Sequence, residues 1–355
     1  MNPKIKWLRD KINMENMQGM IISNPVNIRY LTGIQAEGIL LIARKENFFI
    51  TDGRYLEEVK STLTIDDGII VNDIANISRD DYENFFMFCE NVGFEENYIT
   101  YATYKKYIER YKINNFEETE NLIEKQRMIK DDEEISRIEK ACYITDQCFL
   151  HLCDYIKIGM TEKDIAFEIE KFFKDNGADG LAFDTIVASG KNSSKPHAVP
   201  TDKKIEAGDA ITIDMGCKYQ GYCSDMTRTI FAGYVPVQIQ KIYDLVLKNE
   251  LQTLKEYKDG ASIRLVSKMV ENDFKLNGYN LIHSLGHGVG LDIHEMPFIN
   301  GKNDNSLKAN MVVTNEPGIY IPGNFGVRIE DTVLITKSGC INLTKSDKNY
   351  IIVDK

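Results

Sequence analysis

Histidine is scarce in this chain, with five in 355 residues, so any place where histidines gather stands out. Long apolar runs are absent, which excludes a membrane-spanning helix. Basic blocks are absent too: the formal charge is −11 and the pI is near 5.1, so neither nucleic acid nor an anionic membrane is an expected partner. The seven cysteines (Cys89, Cys142, Cys148, Cys153, Cys217, Cys223, Cys340) are odd in number and contain no C-x-x-C pair. That pattern argues against a disulfide framework and for reduced thiols in a cytosol. The opening segment MNPKIKWLRDKINMEN lacks the apolar centre and small-residue cleavage site of a signal peptide, so a cytoplasmic protein is expected. No G-x-x-x-x-G-K phosphate cradle occurs. What is present is ordinary for a globular protein, 43% apolar and 27% charged residues, at a length that suggests two domains of unequal size.

Three of the five histidines fall in one stretch, HSLGHGVGLDIHEMP, residues 283–297, where interspersed glycines let the backbone pass close to another group. Histidine is a frequent metal ligand and an acid or base near neutral pH, so this loop concentrates scarce chemistry. His151 instead lies within a helical pattern and reads as structural.

Residues 1–125 read as alternating short strands and helices, an α/β domain without histidine or clustered carboxylates. A change of texture at Lys130 opens a long amphipathic helix, and the second domain is expected to span residues 126–355. A helix capped by Thr161 and ending at Asn176-Gly177 follows, then strands around residues 211–231. After Gly233 the order recurs: helices over about 237–257 and 262–277, the histidine loop, and strands over 311–321 and 327–336. Two similar halves are expected, their strand pairs combined in one curved antiparallel sheet covered by helices, with the site at the seam.

Four carboxylates occupy apolar strand contexts where a lone charge is costly: Asp214 and Asp225 in the first pair, Glu316 and Glu330 in the second. A single aspartate or glutamate among 54 acidic residues is a surface acid by default. Four at matching places, with a histidine loop between them, are not. If the carboxylates face one another across each hairpin, they require cations. Together with one histidine they form a mostly hard-oxygen ligand set suited to Mn²⁺, with Co²⁺ or Zn²⁺ as alternatives. A site of two divalent ions activates water for hydrolysis, and amide hydrolysis suits the acidic chain better than phosphoryl chemistry.

The segments DMGCKYQGYCSDMTRT, HSLGHGVGLDIHEMP, NEPGIY and VRIEDTV together resemble the pita-bread metallopeptidases, specifically the branch of aminopeptidase P and prolidase. SNPVNIRYLTG and FITDGRYLEE are similar to the N-terminal domain of the same branch. The resemblance implies a creatinase/prolidase-like α/β domain followed by an α+β pita-bread catalytic domain with pseudo-two-fold halves. It implies that Asp214 binds one metal ion, that Asp225 and Glu330 bridge two, and that His287 and Glu316 complete the set. His197 and His294 match substrate-contacting histidines that stabilise the tetrahedral intermediate.

Glu316 is then expected to handle the proton of the attacking hydroxide and His294 to bond the developing oxyanion. Arg328, two residues before Glu330 and so on its strand face, is expected to hold a metal carboxylate. His283 is expected at the pocket rim, and Tyr320 is a weaker candidate. The expected substrates are short peptides with proline second, and the expected assembly is a homodimer. Prolidase-like sequences often carry arginine directly after the H-E-x-P motif, where this chain has Phe298. That departure points to an Xaa-Pro aminopeptidase, with an Xaa-Pro dipeptidase, a non-peptidase hydrolase or a binding module as alternatives.

Overall fold

The computed structural model describes residues 2–44, 46–63 and 68–354. The chain divides into two compact units, Met1–Arg127 and Met128–Lys355. In the first, α1 (Pro3–Met14), β1 (Gly19–Ile22), α2 (Pro25–Thr32), β2 (Ile39–Ile42), β3 (Asn47–Thr51), α3 (Leu56–Thr62) and β4 (Ile69–Asp73) are followed by α4 (Arg79–Phe85), β5 (Asn91–Phe94), α5 (Tyr101–Tyr111), β6 (Asn115–Glu118) and α6 (Leu122–Arg127). The strands form one mixed sheet in the order β4-β3-β2-β1-β5-β6. Short apolar runs make its central strands, and Ile21, Leu41, Ile50 and Val92 pack with Tyr107 and Tyr111 in one core. The Asn24-Pro25 start of α2 and its stop at Gly33, at φ 76°, follow from a side-chain cap, a proline in the first turn and a left-handed glycine.

The second unit opens with α7 (Asp132–Tyr155) and α8 (Glu162–Asp175). Both begin with capping boxes, Asp131 with Glu134 and Thr161 with Asp164. Then come β7 (Gly180–Leu181), β8 (Ile186–Ser189), β9 (Ala210–Met215), β10 (Cys217–Tyr219), β11 (Tyr222–Cys223) and β12 (Met226–Ala232). The second half contains α9 (Val237–Glu256), α10 (Ile263–Leu276), β13 (Gly286–Gly288), β14 (Glu295–Ile299), β15 (Val312–Asn315), β16 (Gly318–Ile321), β17 (Phe325–Arg328), β18 (Asp331–Ile335), β19 (Cys340–Asn342) and β20 (Ile352–Val353). Each half has its own core. Phe149, Ile165 and Ile169 of α7 and α8 pack on Val187, Ile213 and Ile230. Ile242, Val246 and Val270 of α9 and α10 pack with Val313, Val327 and Val333.

The strands do not form the single continuous sheet expected. They form a four-stranded sheet, β20-β12-β9-β8, a five-stranded sheet, β14-β13-β15-β18-β19, a ribbon of β16 and β17, and a three-stranded sheet, β11-β10-β7. Both long strands expected in the second hairpin are interrupted, one at Glu316-Pro317 and the other at Ile329-Glu330. Pro317 has no N–H to continue a ladder. The two larger sheets meet where the Glu330 N–H donates to Thr227 O at 3.0 Å and Thr332 Oγ1 donates to Asp225 O at 2.7 Å. The halves are therefore joined at the residues that carry the candidate ligands.

Candidate metal centre and active site

Strand register sets the carboxylates. Asp214 pairs with Thr227, and Asp225, two residues before Thr227, shares that face. The two aspartates are thus diagonal, not directly opposed as expected. Continuing the register places Gly216 opposite Asp225, where an added Cβ would lie 2.0 Å from Ser224 O. In the second hairpin, Asn315 pairs with Asp331 and Gly318 with Arg328, so Glu316 and Glu330 stand opposite each other where both strands break. His287 arrives from β13, next to β15 through the Gly288–Val313 pair.

These residues converge. Asp225, His287 and Glu330, all buried, each offer a ligand atom within 4.8 Å of the others. His287 Nδ1 donates to Gly288 O at 3.1 Å, since a carbonyl only accepts. The Nε2 lone pair is therefore free to face Asp225 Oδ2 at 3.5 Å and Glu316 Oε1 at 3.4 Å. Asp214 Oδ2 accepts from Arg328 Nη2 at 2.7 Å, while its Oδ1 is buried without a hydrogen-bond partner among the described residues. Glu330 Oε2 accepts from Thr227 Oγ1 at 2.7 Å, and Glu316 Oε1 from Thr314 Oγ1 at 3.3 Å.

Burial, then the charges of its carboxylate neighbours, pushes Asp225 well above the usual carboxylate range, and the same causes raise Glu330. Glu316 is pushed up to about 7, by burial first, with Asp214 adding to the rise and Arg328 opposing it. Burial lowers His287 to about 4. Crowded carboxylates that resist ionising, an orphaned buried oxygen and an unprotonated imidazole nitrogen form a donor set that fits divalent cations.

The centre lies in a cavity of about 560 Å³ whose walls include Phe183, Ile186, Val199, Ile293 and Phe298. His197 and His294 line it with exposed side chains, and the His294 ring lies 4.4 Å from that of His287. Although its side chain reaches solvent, the cavity wall partly desolvates His294 and so lowers its pKa. His283 is committed differently. Its Nδ1 donates to Ser284 O at 2.8 Å, leaving Nε2 to accept from Tyr320 OH at 3.1 Å. The same hydroxyl accepts from Arg328 Nη1 at 2.6 Å. A chain thus runs from Asp214 through Arg328 and Tyr320 to His283. His151 lies on α7, bonded to Glu168 at 2.8 Å and flanked by the Tyr155 and Phe172 rings, and is not among the cavity residues.

Several residues with a hold on the centre escape a reading of the sequence. Thr227 bonds both Glu330 and Arg328 Nε, the latter at 3.0 Å. Its place two residues after Asp225 was a signal for it. Lys130 Nζ meets Glu295 Oε1 at 2.7 Å, both buried, beside His294. Their long separation in the chain gave no signal. All seven cysteines are free thiols. Among the described residues no helix is long and apolar enough to cross a membrane.

Comparison with known proteins adds relatives along nearly the whole chain. The model of metallopeptidase family M24 matches residues 136–337, and that of the creatinase/prolidase N-terminal domain matches residues 4–129. An Xaa-Pro dipeptidase of Pyrococcus furiosus is 35% identical over 99% of this chain and 100% of its own. The structure of an Xaa-Pro dipeptidase from Bacillus anthracis superposes with a TM-score of 0.93 at 37% identity, covering 99% of both chains. That of an X-Pro aminopeptidase from Thermotoga maritima superposes with a TM-score of 0.86 at 32% identity, covering 95% of this chain and 98% of that one.

Proposed function

Because this chain belongs to metallopeptidase family M24, we propose that it is an Xaa-Pro dipeptidase that hydrolyses the amide bond preceding proline. The observation that carries this reading is the convergence of buried Asp225, His287 and Glu330 in a cavity also lined by Asp214 and Glu316. The full-length relatives called Xaa-Pro dipeptidase favour it over the aminopeptidase reading suggested by Phe298.

Asp214, Asp225, His287, Glu316 and Glu330 would hold two divalent ions, Mn²⁺ first by donor chemistry. When bound, such ions polarise an amide carbonyl and make water a competent nucleophile near neutral pH. Glu316, 3.4 Å from His287 Nε2 at the heart of the ligand group, is suited by position to take a proton and release it to the departing proline nitrogen. Exposed His294 would donate to a developing oxyanion, and exposed His197, lining the same cavity, would contact substrate. Arg328 keeps Asp214 oriented. His283, bonded to Ser284 and Tyr320, buttresses this arrangement.

A second reading, an Xaa-Pro aminopeptidase, rests on Phe298 and on the cavity's cations. Among the described lining residues Arg328 is the single lysine or arginine, and it already bonds Asp214, Thr227, Tyr320 and Pro196 O. Amino-acid release from Xaa-Pro and Xaa-Pro-Yaa, with Mn²⁺ or chelator, separates the readings. The dipeptidase reading expects metal-dependent release mainly from the dipeptide. The reverse preference establishes the aminopeptidase, and release from neither sinks both.

A further inference from the structure

His197 sits on a loop, and the loop is tied down at a carboxylate remote from the ligand cluster. After β8 the chain makes a 3-10 turn, Gly190–Ser194, and then runs along the cavity through Pro196, His197, Ala198, Val199 and Pro200. Glu162, the first residue of α8, is fully buried and lies beneath both ends of this segment. Its Oε1 accepts from the Ser189 N–H at 2.7 Å, Ser189 Oγ at 2.9 Å and Asn192 Nδ2 at 3.2 Å. Its Oε2 accepts from Asn192 Nδ2 at 3.1 Å, the Thr201 N–H at 2.9 Å and Thr201 Oγ1 at 2.6 Å. One carboxylate therefore gathers the residue before the loop, a residue within it and the residue that closes it.

The backbone reinforces the junction. The Glu162 N–H donates to Lys203 O at 3.1 Å and the Lys163 N–H to Thr201 O at 3.2 Å. On the other side, Ser193 Oγ accepts from the Gly326 N–H at 2.9 Å, and Arg328 Nη1 donates to Pro196 O at 3.3 Å. Burial alone would raise the pKa of Glu162, but the hydrogen bonds from Thr201 and Ser189 outweigh it and keep the group an anion. A buried anion with both oxygens saturated by one segment is a stiff anchor. His197 itself is exposed, and among the described residues no hydrogen bond holds its imidazole, so its place is set by its backbone.

We infer that Glu162 is a positioning residue for His197, acting by pinning both ends of the 190–201 loop rather than by contact with substrate or metal. This inference rests on the proposed role of His197 at the substrate. It is also independent of the metal ligands, none of which Glu162 touches.

The test is a double-mutant cycle on the Mn²⁺-loaded full-length protein with an Xaa-Pro substrate. Glu162→Gln keeps the volume but puts an amide donor against donors in the loop, and kcat/KM is expected to fall about 10-fold or more, the usual scale for groups that orient an active-site residue. Mn²⁺ affinity should be unchanged. In a His197→Ala background the same substitution should have almost no further effect, a non-additivity that a general loss of stability would not produce. Hydrogen exchange should quicken at residues 190–201 and not within α7. If Glu162→Gln does not yield folded protein, Asn192→Ala and Thr201→Val, which remove donors from the loop side, take its place in the cycle.

Equal losses in both backgrounds, or a Glu162→Gln enzyme as active as wild type, overturn the inference while leaving the role of His197 intact. A His197→Ala enzyme as active as wild type overturns that role and the inference with it.

Discussion

Arg328 donates from Nη2 to Asp214 Oδ2 at 2.7 Å and from Nη1 to Tyr320 OH at 2.6 Å, so one guanidinium orients a candidate ligand and the tyrosine that bonds His283 together. Lysine has the charge but not the planar fork. Arg328→Lys is therefore expected to weaken Mn²⁺ binding by roughly 10- to 100-fold, and a metal titration showing wild-type affinity would contradict it.

Asp225, His287 and Glu330 offer ligand atoms that all lie within 4.8 Å of one another, and among the described residues neither carboxylate forms an ion pair with a lysine or arginine. Asp225→Asn and Glu330→Gln should abolish peptide cleavage and lower the Mn²⁺ stoichiometry of purified protein. Full metal content in either variant would remove that residue from the ligand set.

The metal-free protein should lose stability as pH rises above neutrality. Asp225 and Glu330 are raised well above the usual range and Glu316 to about 7, chiefly by burial. Against unfolded values of about 4, the folded state binds more protons near neutral pH, so the slope of unfolding free energy with pH is negative there. His283 and His287, lowered to about 4 by burial, act in the opposite sense. They do so only below their unfolded value of about 6.5. With chelator, Tm should fall between about pH 6.5 and about pH 8.5, and Mn²⁺ should raise Tm more at the higher pH because binding displaces protons. A rising Tm without metal would contradict this.

The buried Lys130–Glu295 pair should be intolerant of single truncation. Lys130→Met leaves a buried carboxylate beside His294 and should destabilise the protein by about 3–5 kcal/mol, whereas Lys130→Met with Glu295→Met should recover most of that loss. Denaturant unfolding of the single and double variants measures both.

Phe298 lines the cavity and is 45% exposed, so an arginine fits there without displacing core. Phe298→Arg should raise kcat/KM for Xaa-Pro relative to Xaa-Pro-Yaa by about 10-fold, the scale of one hydrogen bond to a charged group. An unchanged ratio would show that the carboxylate after proline is not read at this position.

How much of this was legible in the sequence depends on range. The Thr161 cap and the acidic first turn after Lys130 act within a turn or so of the chain, and the helices they open lie where local pattern puts them. The four carboxylates and the histidine loop were visible because charge in apolar strands and clustered imidazoles are rare. The diagonal offset of Asp214 and Asp225 was not, since it depends on a register that leaves Gly216 opposite Asp225. The division into separate sheets depends on breaks at Glu316-Pro317 and Ile329-Glu330 that apolar runs conceal. Lys130 with Glu295, and Glu162 with the loop it anchors, are joined by folding alone.

Because Asp225 and Glu330 directly precede strands of different sheets that meet beside Thr227, neither half holds the candidate ligand set by itself. Holding an ion at these residues would therefore require both halves docked, so that ion binding would couple the two cores thermodynamically.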